Sequence, residues 1–227
     1  MSPTLLLLTA LIQPPATEKL DAGAISRSLV ETSKAAVEVL NGVKDRATAK
    51  TAKPRLEELS ARLGELEKRY AVRPRGERVK AEVKWTNERK KQAEALTLAH
   101  DRVFAKHKDA YKVLAGTGLF RRVEGALEAR ALLQMQNIQK AGVAYYIKNG
   151  GVYPRALKLL VVKDPNTGTP PLLAGGAKAI TDPWGAPYQF DVRADQNGIE
   201  RLHIWTTSPY GDGKKRIVWP QDDGKKQ

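Results

Sequence analysis

Asn149-Gly150-Gly151-Val152-Tyr153-Pro154 closes a long helical stretch, and its reading decides how the second half of the chain is organised. Before it, Val123, Leu127, Leu132, Met135, Ile138, Val143 and Tyr146 form an apolar stripe that predicts a helix from near Leu119 to Lys148. The two glycines supply left-handed backbone, and Pro154 cannot continue a helix, so the chain must turn there. Two further signatures follow in order: Asp182-Pro183-Trp184-Gly185-Ala186-Pro187-Tyr188 and Ser208-Pro209-Tyr210-Gly211-Asp212-Gly213-Lys214.

Between these signatures the period changes from helical to alternating. Asp164 to Ala177 is rich in Pro, Gly and Thr and reads as a connecting loop. Pro183 and Gly185 predict a tight turn, with Trp184 placed to cover one end of the sheet. Tyr188–Val192 and Leu202–Trp205 alternate apolar with polar residues around Asn197-Gly198, a hairpin signal, so the two strands pair antiparallel. Arg216–Trp219 supplies a third, short edge strand. Tyr145, Tyr153, Trp184 and Trp205 are expected in one core.

The run from Ala129 through Ala144-Tyr145-Tyr146-Ile147-Lys148 to the Tyr153-Pro154 corner, followed by the Asp-Pro-Trp-Gly turn, resembles the periplasmic domain of the major pseudopilin of the type II secretion system, the GspG type. The resemblance covers about residues 126–223. It implies a stem helix, a short second helix at Leu157–Val161 and a small antiparallel sheet. It further implies a non-enzymatic structural role, with secretion-system proteins as partners. In that family the loop after the second strand binds calcium, and Asp212, Asp222 and Asp223 stand in matching places. Calcium takes six to eight oxygen ligands, which three carboxylates with carbonyls and water can supply. Lys214, Lys215 and Arg216 lie between them and oppose a cation; otherwise the three aspartates are solvated turn residues.

The first half is of a different kind. From Thr17 to Leu114 the pattern is helical, broken at Gly42–Asp45 and at Val72–Gly76, which predicts three helices. Leu56, Leu59, Leu63 and Leu66 make a narrow seam on the second. Leu29, Val37 and Leu40 on the first, and Val79, Val83, Leu96, Val103 and Leu114 on the third, are expected to cover it in an antiparallel bundle or coiled-coil hairpin.

Composition bounds the function. A chain of 227 residues with 41% hydrophobic content can bury a core, and the absence of cysteine excludes disulfides, thiolate metal sites and a cysteine nucleophile. The net charge of +14 implies weak attraction to polyanions. The cations are interleaved with Glu at helical spacing, as in Glu77, Lys80, Glu82 and Lys84, and Arg89-Lys90-Lys91 has only Trp85 beside it, so specific nucleic-acid recognition is not expected. The alternative to the structural role is a basic helical module that binds nucleic acid or an anionic envelope polymer. His100, His107 and His203 are not grouped with ligands or bases, and no catalytic constellation is seen.

Leu5–Ile12 has the length of a signal-peptide core and is too short to span a bilayer, so a leader ending near Ala16 and a periplasmic or secreted mature chain are expected; without cleavage the chain is cytoplasmic. The charged region from Asp101 to Glu128 cannot cross lipid. An accessory or scaffold role therefore fits better than polymerisation as a standard pseudopilin. The expected fold class is α+β: a helical bundle or hairpin at 17–116 after a leader at 1–16, then a pilin-like domain at 119–227 in which a long helix packs on a three-stranded antiparallel sheet.

Overall fold

The computed structural model describes residues 20–164, 168–194, 198–210 and 215–219. The chain divides into two compact units, Met1–Leu119 and Phe120–Gln227.

The first unit is built of α1 (Ala22–Asn41), α2 (Arg46–Ala71), α3 (Arg75–Lys106) and α4 (Lys108–Leu114). The starts of α1 and α2 are fixed by side-chain caps. Asp21 Oδ1 accepts from the Ala24 amide at 2.7 Å, and Asp45 and Thr48 form a reciprocal capping box, Thr48 N to Asp45 Oδ1 at 2.8 Å. Those bonds hold the Asp45 carboxyl below its ordinary value, with His107 adding a smaller favourable charge.

α1 packs on both α2 and α3, and α2 also packs on α4. The Arg27 guanidinium lies 5.8 Å over the Trp85 ring, and Arg102 Nη2 donates to the Leu40 carbonyl, so α1 and α3 run in the same direction. Arg89 lies over Tyr70 and the Tyr70 hydroxyl donates to Arg78 O at 3.1 Å, which brings the end of α2 to the start of α3. The order is up, down, up, and the leucine seam of α2 is buried throughout. Each such leucine contributes about 2 kcal/mol by leaving water.

Two expectations for the third helix are corrected. It is divided, because His107 leaves helical geometry at φ −131 and ψ 60 between α3 and α4; neither Gly nor Pro marks the break. Val79 and Val83 are exposed, while Leu96, Val103 and Leu114 are buried as expected. At about 100° per residue, Val79 and Val83 fall roughly opposite the Ala81, Trp85, Gln92 and Leu96 face that meets α1. They are apolar residues on the wrong side of the helix.

The second unit holds most of α5 (Gly118–Lys148), then α6 (Lys158–Val161), a 3₁₀ turn η1 (Gly176–Ile180), and β1 (Gln189–Ala194), β2 (Glu200–Thr207) and β3 (Arg216–Trp219). The strands form an antiparallel sheet in the order β1-β2-β3, with Phe190 opposite Ile204 and Thr206 opposite Ile217. α+β is thus the observed class: a mainly helical chain with a small three-stranded sheet after a long helix.

α5 ends as its sequence requires. Gly150 and Gly151 take φ 64 and 86, and the Gly151 amide donates back to Tyr146 O at 3.0 Å. Its inward face is Ala131, Met135, Ile138 and Ala141, packed with Leu157, Leu160, Tyr188, Leu202, Ile204 and Ile217. Val143, assigned to the stripe from sequence, is exposed, because Gly142 is the residue that meets the sheet. A Cβ at position 142 would stand 2.8 Å from Leu202 Cδ2, so glycine allows helix and central strand to approach.

Tyr145, Tyr153 and Trp184 pack against this core as expected, but Trp205 does not. Leu202, Ile204 and Thr206 point inward, so alternation sends Trp205 to the other face, where Arg216 stacks 4.4 Å from its ring centroid.

Candidate functional site

The corner at Tyr153-Pro154 is tied to the sheet as well as to its helix. The Tyr153 hydroxyl donates to Glu200 O at 3.2 Å at the start of β2, and its ring lies 4.7 Å from that of Tyr146. Burial, followed by the nearby Tyr146, raises the Tyr153 phenol above its usual value.

The second signature is organised by Asp182, which is buried. Its Oδ1 accepts from the amides of Trp184 at 2.9 Å and Ala186 at 2.8 Å, while its own amide donates to Ala186 O at 2.8 Å. Gly185, at φ 88, completes the reversal and donates to Asp182 O at 3.1 Å. The other carboxylate oxygen accepts from the hydroxyl of Thr206 on β2. Asp182 therefore ties the turn to the middle strand of the sheet.

Tyr188, at the end of the same turn, reaches α5. Its hydroxyl contacts Gln134 Oε1 at 3.1 Å and Ala131 O at 3.3 Å. Burial raises this phenol well above its ordinary value, with the Asp182 charge adding to the effect. The turn is thus bonded to helix and sheet at once.

The third signature begins where β2 ends. Ser208 is buried and its amide donates to Lys215 O at 2.9 Å, closing the base of the loop between β2 and β3. Tyr210 packs edge-on against Trp184 at 6.1 Å, linking this loop to the Asp182 turn. Two of the three cations expected to oppose calcium have partners of their own. Lys215 Nζ bonds Glu128 Oε2 at 2.7 Å and Arg216 stacks on Trp205. On β3, Trp219 Nε1 donates to Gln139 Oε1 of α5 at 2.6 Å.

Asp212, Asp222 and Asp223 lie outside the described residues. Among the described residues no group of three His, Cys, Asp or Glu side chains has metal-binding geometry. The histidines are scattered. His100 is fully buried, with Nδ1 3.1 Å from Asp101 Oδ1 and its ring edge-on to Tyr111; His107 sits at the α3–α4 break and His203 lies half-buried on β2.

Sequence reasoning named the Asp182 turn but not the carboxylate as its organiser. The available signal was an Asp immediately before Pro-x-Gly, the usual start of a side-chain-capped turn. Its partnership with Thr206 depends on strand register and has no local signature.

Residues 118–213 match the family model described as type II secretion system (T2SS), protein G. All three signatures, up to Gly213 of the last, fall inside the match, which begins at the first residue of α5. No curated protein and no solved structure matches the chain. The resemblance to the GspG-type pseudopilin domain therefore holds over residues 118–213, a span that starts earlier than the expected 126–223 and ends before Asp222 and Asp223.

Proposed function

We propose that the chain is a non-catalytic, pseudopilin-like structural or interaction protein, exported and working with components of type II secretion or a related envelope assembly. The observation that supports this most is the position of the family match. It covers the stem helix, the Tyr153-Pro154 corner and the Asp182 turn, which are the features that hold helix and sheet together. Among the described residues no helix is long and apolar enough to cross a membrane. Deleting the gene in its native host tests the reading. Loss of type II-dependent protein export to the medium, restored by the wild-type gene, is the expected result; undiminished export contradicts it.

Export of this chain itself rests on the leader reading of residues 1–16. A mature N-terminus near Thr17 by mass spectrometry is expected, and intact Met1 on cytosolic protein counts against it. Calcium, held by Asp212, Asp222 and Asp223, is proposed on the family resemblance and on the diversion of Lys215 and Arg216 to other partners. Its role would be structural, fixing the loop after β2.

A further inference from the structure

We propose that the tip of the α2–α3 hairpin is a docking surface for an anionic phospholipid bilayer. α3 has 32 residues against 20 in α1, and the two run alongside one another with Arg27 at Trp85 and Leu40 at Arg102. Read back along that register, the start of α1 meets α3 near Ala81, so the α2–α3 turn and the first turn of α3 extend past it.

This end of the hairpin combines two properties that water alone does not favour. Val72 is 81% exposed in the turn, and Val79 and Val83, one helical turn apart, are 48% and 84% exposed on the same face of α3. At about 100° per residue, Arg75 lies about 40° from Val79 and Lys80 about 60° from Val83, Lys90 follows between the two about two turns further along α3, and Glu82 lies about 60° from Val79. These three cations make no ion pair among the described residues. Between Lys68 and Lys91 the acids are Glu77, Glu82 and Glu88 alone, against an abundance of Lys and Arg, so the surrounding potential is positive.

Exposed aliphatic side chains bordered by cations that make no ion pair, in a segment with a strong excess of Lys and Arg, match a surface with anionic headgroups over a hydrocarbon interior. Nucleic acid or an anionic polymer would use the cations and leave the valines in water. Of the aromatic residues of this segment, Tyr70 is buried and Trp85 is turned toward Arg27 on the opposite face, so no stacking platform is offered to bases. The occupant favoured by both features is lipid. The inference uses only the first unit and does not depend on the pseudopilin-like reading of the second.

The test is co-sedimentation of the full chain with vesicles of equal parts phosphatidylglycerol and phosphatidylcholine, with phosphatidylcholine vesicles and heparin as comparisons. Binding to the anionic vesicles alone among the two lipids, weakened by salt, is expected. Each basic residue at an anionic surface is worth about fivefold in partitioning, so Arg75→Gln/Lys80→Gln/Lys90→Gln should lose about a hundredfold. Val79→Ser/Val83→Ser, which leaves charge and core unchanged, should lose about tenfold on vesicles and nothing on heparin. Failure to bind anionic vesicles overturns the proposal. So does vesicle binding indifferent to the valine replacement, which would identify the tip as a polyanion site only.

Discussion

Thr206, on the middle strand, donates its hydroxyl to the carboxylate of Asp182, whose other oxygen holds the amides of Trp184 and Ala186. Twenty-four residues of sequence separate the pair, and between them lie β1 and most of β2. The bond makes the turn an integral part of the sheet.

Removing that carboxylate strands several donors in a buried place. Asp182→Ala should destabilise the second unit by about 2–4 kcal/mol, since each buried unsatisfied group costs about 1–3. Asp182→Asn keeps an acceptor for the two amides and should cost less than half as much. Denaturant melts followed by Trp fluorescence, with Trp184 beside the turn, measure the difference; equal losses for the two variants would contradict the assigned geometry.

Tyr188 predicts behaviour in alkali. Its folded phenol titrates above the 10.0 of the free side chain, so the unfolded chain releases its proton first as pH rises. The stabilisation is complete below pH 10.0 and is lost above it, as pH climbs toward the folded value. Tyr188→Phe should lose about 1 kcal/mol at neutral pH, with its contacts to Gln134 and Ala131, and should show a shallower alkaline decline than wild type. An unchanged alkaline slope would count against a buried, neutral Tyr188.

The legibility of the fold followed how local each cause was. The end of α5 was readable because Asn149-Gly150-Gly151 and Pro154 act within a few residues of the helix they stop. The hairpin was readable because Asn197-Gly198 separates two alternating runs, and the observed register pairs Val192 with Leu202 around it. What required the third dimension was misassigned. Val79, Val83 and Val143 are apolar, yet which side of a helix faces the core depends on its neighbours, and Gly142 rather than Val143 meets Leu202. Trp205 is expected in one core with Tyr145, Tyr153 and Trp184, whereas the parity set by Leu202 and Ile204 sends it outward. The break at His107 has no Gly or Pro to announce it. Of the candidate sites, the Asp182 turn was visible as a motif and its chemistry was not, while Asp212, Asp222 and Asp223 were named but lie outside the described residues.

The division of the chain into two compact units leads to a fragment prediction. Residues 119–227 contain the core of Met135, Ile138, Leu160, Leu202 and Ile204 and the whole sheet, so they should fold alone. A dispersed amide spectrum is expected. A collapsed spectrum would mean that the boundary is misplaced.

Calcium predicts a melting shift. An ion bound only by the folded state raises stability with the logarithm of its concentration, about 2.7 kcal/mol at a hundredfold excess over its dissociation constant. Calcium should raise the melting temperature and magnesium should not match it, because magnesium prefers a smaller, hydrated octahedral site. Asp212→Ala should abolish the shift, and the same change at Asp195, which precedes Asn197-Gly198 in the sequence, should preserve it. A melt indifferent to calcium would leave all three aspartates as solvated turn residues.

The central claim is that the stem helix and sheet act among secretion-system proteins, and a crosslink made in the native host tests it most directly. Ile147, near the end of α5, is 73% exposed, so a photoreactive residue there leaves the core of Met135, Ile138 and Leu202 intact. The account predicts a light-dependent adduct whose second component mass spectrometry identifies as a type II secretion protein, absent when the secretion genes are deleted. An adduct pattern unchanged by that deletion, with no secretion protein in it, would contradict the account.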